Sequence, residues 1–222
     1  MQTSGNGLPF SEYLSQNRDE IILHTEQHAQ LSLYCILIAM VLGLLIAVAV
    51  YRSPLGTNFT ISTAAVIFTL PSVALFGFLV SVVGYGLASV FPVVVAYAML
   101  PIVRNSIVGL QSADPAVLDA ARGMGVGSFR MLWQIRFPIA WPVILAGVRV
   151  AAQLTVGIVA IAAFVTPVGL GDYGYSSLDN LGSVNTRSQA LICIIFVAVV
   201  ALAFDAVFVV IRRFTTPRGS RV

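Results

Sequence analysis

The stretch SADPAVLDAARGMGVGSFRMLWQIRFPIAWP, residues 112–142, decides how the chain is read, because it is the one sizeable polar island in an otherwise membrane-like sequence. Asp114 followed by Pro115 is an N-cap carboxylate ahead of a proline at the first helical position, where the missing amide hydrogen costs nothing. A short helix is expected to run from Pro115 through Leu118, Asp119, Ala120, Ala121 and Arg122 to about Met124. The glycines at 123, 125 and 127 cannot carry it further, so the chain turns near Gly125. Ser128 offers a second N-cap, and Phe129, Leu132 and Trp133 recur at the spacing of an amphipathic face until Pro138 ends the helix. The product is a compact helix-turn-helix bracket. Arg122, Arg130 and Arg136 make it cationic, which assigns it to the cytoplasmic side of a bilayer.

The 222 residues are 58% hydrophobic and 9% charged, against about 25% charged in an ordinary soluble domain. This is the composition of an all-α integral membrane protein. The formal net charge of +3 is carried by arginine, since the sequence contains no lysine. A phosphate loop of the form Gly-x-x-x-x-Gly-Lys-Ser/Thr is therefore excluded, and no ATPase domain is expected within these residues. Cys35 and Cys193 both fall in apolar runs, which indicates neither a disulfide framework nor a metal site. No nucleic-acid partner is expected.

Residues 1–30 are too polar, and too poor in early positive charge, to be a cleaved signal peptide. With Phe10, Tyr13, Leu14, Ile21 and Ile22 among acidic residues, they are expected to form an amphipathic helix along the outer membrane surface. His24 and His28 stand at a metal-ligand spacing, but without an evident third ligand they read as incidental residues of an exposed helix. The transmembrane remainder, 31–222, begins with an apolar run over 31–51, long enough at ~1.5 Å per residue to cross a ~30 Å hydrocarbon core. Arg52-Ser53-Pro54 closes it, and a short loop through Gly56 and Asn58 follows. The triplet Asn58-Phe59-Thr60 matches a glycosylation acceptor but falls on the cytoplasmic side, where it carries no meaning.

A second span over 61–83 has Pro71 near its middle, which reads either as a bend lining a translocation path or as a packing kink. Gly84 to Gly86 make a tight outer turn. A third span over 87–108 contains Pro92 and Pro101 and carries Arg104 near its inner end. Beyond the bracket of residues 112–142, a fourth span over 145–165 is entered past Arg149 and Gln153, and Gly147 and Ala151 stand at the spacing that lets another helix come close. Residues 167–187 form an outer loop. Within it Gly169-Leu170-Gly171-Asp172-Tyr173-Gly174 satisfies Gly-x-Gly-x-x-Gly in letters only, since no strand precedes it; a compact re-entrant or gating turn is expected instead. A fifth span over 188–211 carries Asp205, a functional candidate by its position, for which pairing with Arg212 and Arg213 is expected. Arg218 and Arg221 belong to a basic tail. With the bracket inside, five spans put the N-terminus outside and the C-terminus in the cytoplasm, leaving only Arg18 and Arg187 among the arginines on the outer side.

Asp119-Ala120-Ala121, three residues to Gly125, nine more to Ile135, then Phe137-Pro138 resembles the EAA signature of permease subunits of binding-protein-dependent ABC importers. That signature has Glu where this chain has Asp119 and Leu where it has Phe137, with the same spacing. The resemblance implies a type I ABC importer permease with a five-span core in a bacterial inner membrane. Its EAA loop would dock on ATP-binding cassette subunits that bind ATP and Mg. Asp119 would present a carboxylate, Ala120 and Ala121 would permit close approach, Gly125 would make the turn, and Arg122, Ile135 and Pro138 complete the coupling set. The aspartate shortens the reach by one methylene. A second permease subunit, identical or sister, would share the path, with Pro71, Phe76 and Gln153 as lining candidates. An extracytoplasmic substrate-binding protein would meet Asp172, Tyr173 and Tyr175.

Within that family, Pro71-Ser72-Val73-Ala74-Leu75-Phe76-Gly77, Pro101-Ile102-Val103-Arg104-Asn105, Asp114-Pro115 and Gly169-Leu170-Gly171 resemble osmoprotectant permeases. Their substrates are glycine betaine, carnitine, choline and proline; methionine or amino-acid permeases share parts of these segments and are the alternative. Two other classes compete. A channel or ion-coupled carrier would lean on Asp205, and an intramembrane protease would need a histidine base that the spans lack.

Overall fold

The computed structural model describes residues 8–215; the first seven residues of the expected surface helix, and Arg218, Arg221 and the C-terminus of the expected basic tail, lie outside the described residues. Among the described residues all regular structure is helical. A short α1 (Phe10–Gln16) leads into α2 (Arg18–Val50), followed by α3 (Pro54–Thr69), α4 (Ser72–Val83) and α5 (Leu87–Gln111). The bracket comprises α6 (Pro115–Gly123), a single turn α7 (Ser128–Arg130) and a π-helical segment Met131–Arg136. Then come α8 (Phe137–Ile161), a 3-10 turn Ala162–Phe164, α9 (Gly171–Asp179) and α10 (Thr186–Thr215). Four continuous helical runs, Arg18–Val50, Leu87–Gln111, Ser128–Phe164 and Thr186–Thr215, are long and apolar enough to cross a bilayer, and α3 with α4 makes a fifth when the bent pair counts as one span.

The N-terminal segment is not a separate surface helix. From Arg18 it runs unbroken into the first apolar run, and Tyr13, Ile21 and His28 are buried. The face expected to rest on lipid packs against protein: Tyr13 and Ile21 share a core cluster with Tyr173 and Ile192. Nor are Gly56 and Asn58 loop residues. Ser53 Oγ accepts from the Gly56 amide at 3.1 Å and Pro54 takes the first helical position, so α3 starts at once.

Two prolines act differently from their sequence reading. Pro71 breaks its span outright, α3 ending at Thr69 and α4 starting at Ser72. A proline bars the preceding residue from helical geometry and donates no amide, so the helix restarts with Pro71 as an extended N-cap at φ −62° and ψ 122°. Pro138, by contrast, does not stop the bracket's second helix. The Phe137 amide donates to the Leu132 carbonyl five residues back, and this wider turn carries the chain past the proline into α8. The helix of the fourth apolar run therefore starts at Phe137, and Pro142 lies within it.

Two compact units divide the chain, and α2, α5, α8 and α10 each contribute to both. One holds the described residues up to Cys35, Leu70–Val94 and Gln153–Ala203. Its core includes the Tyr13–Ile21–Tyr173–Ile192 cluster and, on α4, the fully buried Phe76. The other holds Ile36–Thr69, Val95–Ala152 and the described residues from Phe204 on. In this second unit α8 lies against α5 at Gly147, where a Cβ would come within 2.6 Å of Asn105 Cβ and 2.7 Å of the Pro101 carbonyl oxygen. Ala151, one turn on, is fully buried. Small residues thus let two helices touch along their backbones, which matters where lipid tails supply no hydrophobic drive for helix association.

Gly147→Val is expected to lower stability by about 1–3 kcal/mol through overpacking. Thermal unfolding in detergent measures it. Gly77→Ala, where a Cβ meets nothing within 4 Å, should be neutral or stabilising by comparison.

Candidate functional site

The polar bracket folds on local rules. The Asp114 carboxylate accepts from the Ala116 amide at 2.8 Å, with Pro115 at the first helical position, as the sequence indicates. At the far end of α6, the Gly125 amide donates to the Arg122 carbonyl at 2.9 Å and the Val126 amide reaches back to Ala121 at 3.0 Å. Gly125 makes this closure at φ 79°, a conformation that costs an L-residue about 1–2 kcal/mol. The next turn departs from expectation: Gly127 stands at the N-cap, and no side chain caps it.

A small core holds the bracket together. Ala113, Leu118, Ala121 and Met131 are buried in one cluster, with Val126 and Ile135 packed against it. Ala121 therefore faces inward, while Ala120, Asp119 and Arg122 lie outward. Asp119 and Arg122 are ion-paired at 2.7 Å with side chains 69% and 65% exposed. Of the residues matching the EAA signature, then, Ile135 and Ala121 pack the interior, Gly125 closes the turn and Pro138 lies in the exit to α8. Asp119 and Ala120, with Arg122 beside them, form the outer surface.

Periodicity had grouped Phe129, Leu132 and Trp133 on one face. Leu132 is buried, but Phe129 and Trp133 turn outward at 76% and 49% exposure. They continue into Phe137 and Trp141 as an aromatic ladder with successive ring centroids 6.3, 5.2 and 5.6 Å apart. The π-helical turn shifts the register that a 3.6-residue period assumes. The bracket's exit is fixed to the end of α5: Arg136 Nη1 donates to the Leu110 carbonyl at 2.6 Å, and a Cβ on Gly109 would come within 3.0 Å of the Ala140 carbonyl oxygen.

In the same unit, Asp205 on α10 receives both forks of Arg149 on α8, Nε at 2.5 Å and Nη2 at 2.7 Å. The expectation named Arg212 and Arg213; Arg149, which was not among them, approaches from a neighbouring helix and can meet both carboxylate oxygens in one plane.

In the other unit, the glycine-rich segment forms a turn at Gly169 followed by α9, which begins at Gly171. A Cβ on Gly171 would collide with the Ala160 carbonyl oxygen, so glycine is what lets α9 close down here. The two histidines are structural and not incidental. His24 Nδ1 bonds the Gly169 carbonyl at 2.9 Å, and His28 Nε2 bonds the Val156 carbonyl at 3.0 Å. Their four-residue spacing was the available signal, but only the fold supplies the carbonyls. Tyr173 is 5% exposed and packs edge-on against His24, so it is a core residue; burial, with Glu20, Tyr13 and Asp172 nearby, pushes its phenol pKa up. Tyr175 is exposed and Asp172 half-buried. Among the path candidates, Pro71 is exposed at the α3–α4 break, Phe76 is buried, and Gln153 is exposed on α8.

An all-helical membrane chain carrying a folded bracket in the EAA spacing has the form of a transport permease, and the chain belongs to the family of binding-protein-dependent transport system inner membrane components, whose pattern matches residues 39–216. It is similar to the glycine betaine/carnitine/choline transport system permease protein OpuCB of Bacillus subtilis, 27% identical over 207 residues that cover 93% of this chain and 94% of the relative. It is 30% identical over 215 residues to the osmoprotectant import permease protein OsmW of Salmonella typhimurium, covering 94% and 98%. The choline transport system permease protein OpuBD of Bacillus subtilis is 31% identical over 207 residues, covering 92% and 89%. In fold the chain is similar to inward-facing forms of the MetNI methionine ABC transporter. One gives a TM-score of 0.71 over 89% of this chain and 96% of that chain, the other 0.62 over 85% and 94%, both at 19% identity. The all-α type I permease fold expected from the sequence is the observed one.

Gly125→Val should cost about 1–2 kcal/mol and open the end of α6 without preventing membrane insertion. Faster amide exchange at Val126 is the measurement. For the ion pair, whose side chains are 40% and 22% exposed, Asp205→Ala alone should destabilise by about 1 kcal/mol, whereas Arg149→Leu with Asp205→Leu should recover most of that loss, because Arg149 is then not left without its carboxylate. A double variant no more stable than Asp205→Ala would contradict a cost from the orphaned arginine.

Proposed function

We propose that this chain is the membrane permease subunit of an ATP-driven importer of compatible solutes, with substrates of the glycine betaine, carnitine, choline and proline class. The observation that carries the reading is the full Asp119-to-Pro138 spacing folded as a self-supported bracket whose outer face is Asp119, Ala120 and Arg122. The bracket would lie in the cytoplasm and dock on ATP-binding cassette subunits, which bind ATP and Mg and carry out hydrolysis; this chain would do no covalent chemistry. An exposed pair such as Asp119–Arg122 is worth only about 0–1 kcal/mol, so a cation on the ATPase can claim the carboxylate at little cost. Displacement of the bracket would pass into α5 and α8 through the Arg136–Leu110 bond and the Gly109–Ala140 contact.

The substrate class is supported by the names of the relatives, three of which are osmoprotectant or choline-type permeases. A second permease subunit would complete the path, with the exposed Gln153 and the break at Pro71 as lining groups. On the outer face, Tyr175 and Asp172 are the groups left to meet a substrate-binding protein once Tyr173 is assigned to the core. The N-terminus would be outside and the C-terminus in the cytoplasm.

The test is co-purification of wild-type and Asp119→Arg chains after detergent extraction, with mass spectrometry of the bound subunits. Wild type should retain an ATPase subunit and the charge reversal should lose it. Absence of an ATPase with either chain would remove the importer reading and favour a carrier dependent on Asp205.

A further inference from the structure

A cavity of about 500 Å³ lies beneath the bracket, within the second unit, where the ends of α2 and α5 meet α6 and the π-helical turn. Its lining includes Arg52, Arg122 and Arg136 and contains no Asp or Glu. Arg122 is neutralised by Asp119 on the outer surface. The other two are held by neutral groups. Arg52 Nε donates to the Tyr51 hydroxyl at 2.7 Å, with Nη2 3.5 Å from the Ser128 carbonyl, and Arg136 Nη1 donates to the Leu110 carbonyl. Both guanidiniums also stand over the Tyr51 ring, their carbons 5.3 and 5.4 Å from its centroid. Two like charges are therefore gathered on one buried tyrosine, and most of their five N–H donors each remain unspent on the described residues.

Such an arrangement is repulsive when empty and is relieved by an anion. The planar guanidinium fork matches phosphate in bidentate fashion. Leu118, Val126 and Met131 add an apolar part to the lining, and the volume falls within the range of small-ligand pockets. We propose that this cavity binds a phosphate ester, with the phosphate on Arg52 and Arg136 and its organic portion against the apolar part of the lining. Two sources share this chemistry: an anionic phospholipid headgroup, reached because Tyr51 and Arg52 directly follow an apolar run, or a soluble organic phosphate. Occupancy would tie the α2–α3 junction to the bracket, and Arg122, which lines the cavity, links the site to Asp119 on the outer surface. The inference rests on the cavity alone and does not depend on which partner the bracket meets.

The full chain, with whatever subunits co-purify, is reconstituted in nanodiscs of phosphatidylcholine alone or with a quarter phosphatidylglycerol, and glycerol 1-phosphate is titrated into the former. The readout is the unfolding temperature, with native mass spectrometry for retained lipid. Wild type should show a saturable rise with at least one probe, and Arg52→Gln should weaken half-saturation roughly tenfold through loss of charge-assisted bonds. Arg130→Gln, an arginine outside the cavity, should leave it unchanged. If Arg52→Gln does not fold, Arg52→Lys, which keeps the charge without the fork, should still weaken binding severalfold. A rise with phosphatidylglycerol alone assigns the site to lipid, and a rise with glycerol 1-phosphate in phosphatidylcholine assigns it to a soluble ester. No saturable rise with either probe, an equal loss in Arg130→Gln, or unchanged binding in the folded Arg52 variant overturns the proposal.

Discussion

A backbone that crosses hydrocarbon has to satisfy its own amides and carbonyls, and every irregularity in this chain is placed where that demand can still be met. The long helices α2, α5, α8 and α10 do so by continuous hydrogen bonding through their apolar lengths. Where proline removes a donor, two solutions appear. At Pro71 the helix is abandoned and restarted at Ser72. Just before Pro138 the turn widens, so that the helix survives and the bracket's second helix runs on into α8.

Several polar side chains are paired in the same way. Arg149 and Asp205 lie on two apolar helices and neutralise each other through a bidentate contact. His28, with no exposure at all, spends one ring nitrogen on the Val156 carbonyl. Arg136 is spent on a helix-terminal carbonyl at Leu110, where a cation also meets the negative end of the helix dipole. Against this background the cationic cavity beneath the bracket stands apart, because two of its guanidiniums have only neutral partners among the described residues.

The bracket shows how a family signature divides its labour. Ala121 and Ile135 pack the interior, Gly125 closes a left-handed turn, and Asp119 and Ala120, with Arg122 alongside, lie on the surface. The replacement of Glu by Asp at position 119 falls on the exposed part, where a methylene changes reach without touching the core.

What the sequence determined by itself is what short-range chemistry governs. The apolar runs, the Asp114–Pro115 helix start, the turn at Gly125 and the close approach at Gly147 all follow from hydrophobic length, capping, glycine φ and side-chain size, which depend on residues within a few positions of one another. Tertiary structure decided the pairings across distance. That Asp205 meets Arg149, that His24 and His28 clamp carbonyls on other elements, and that Tyr173 is core while Tyr175 is surface depend on which helices become neighbours, information that no local period contains. It also decided the outcome at the prolines, because a missing donor states only that a hydrogen bond is lost. Whether the chain breaks, as at Pro71, or rewinds, as before Pro138, is not contained in that local chemistry.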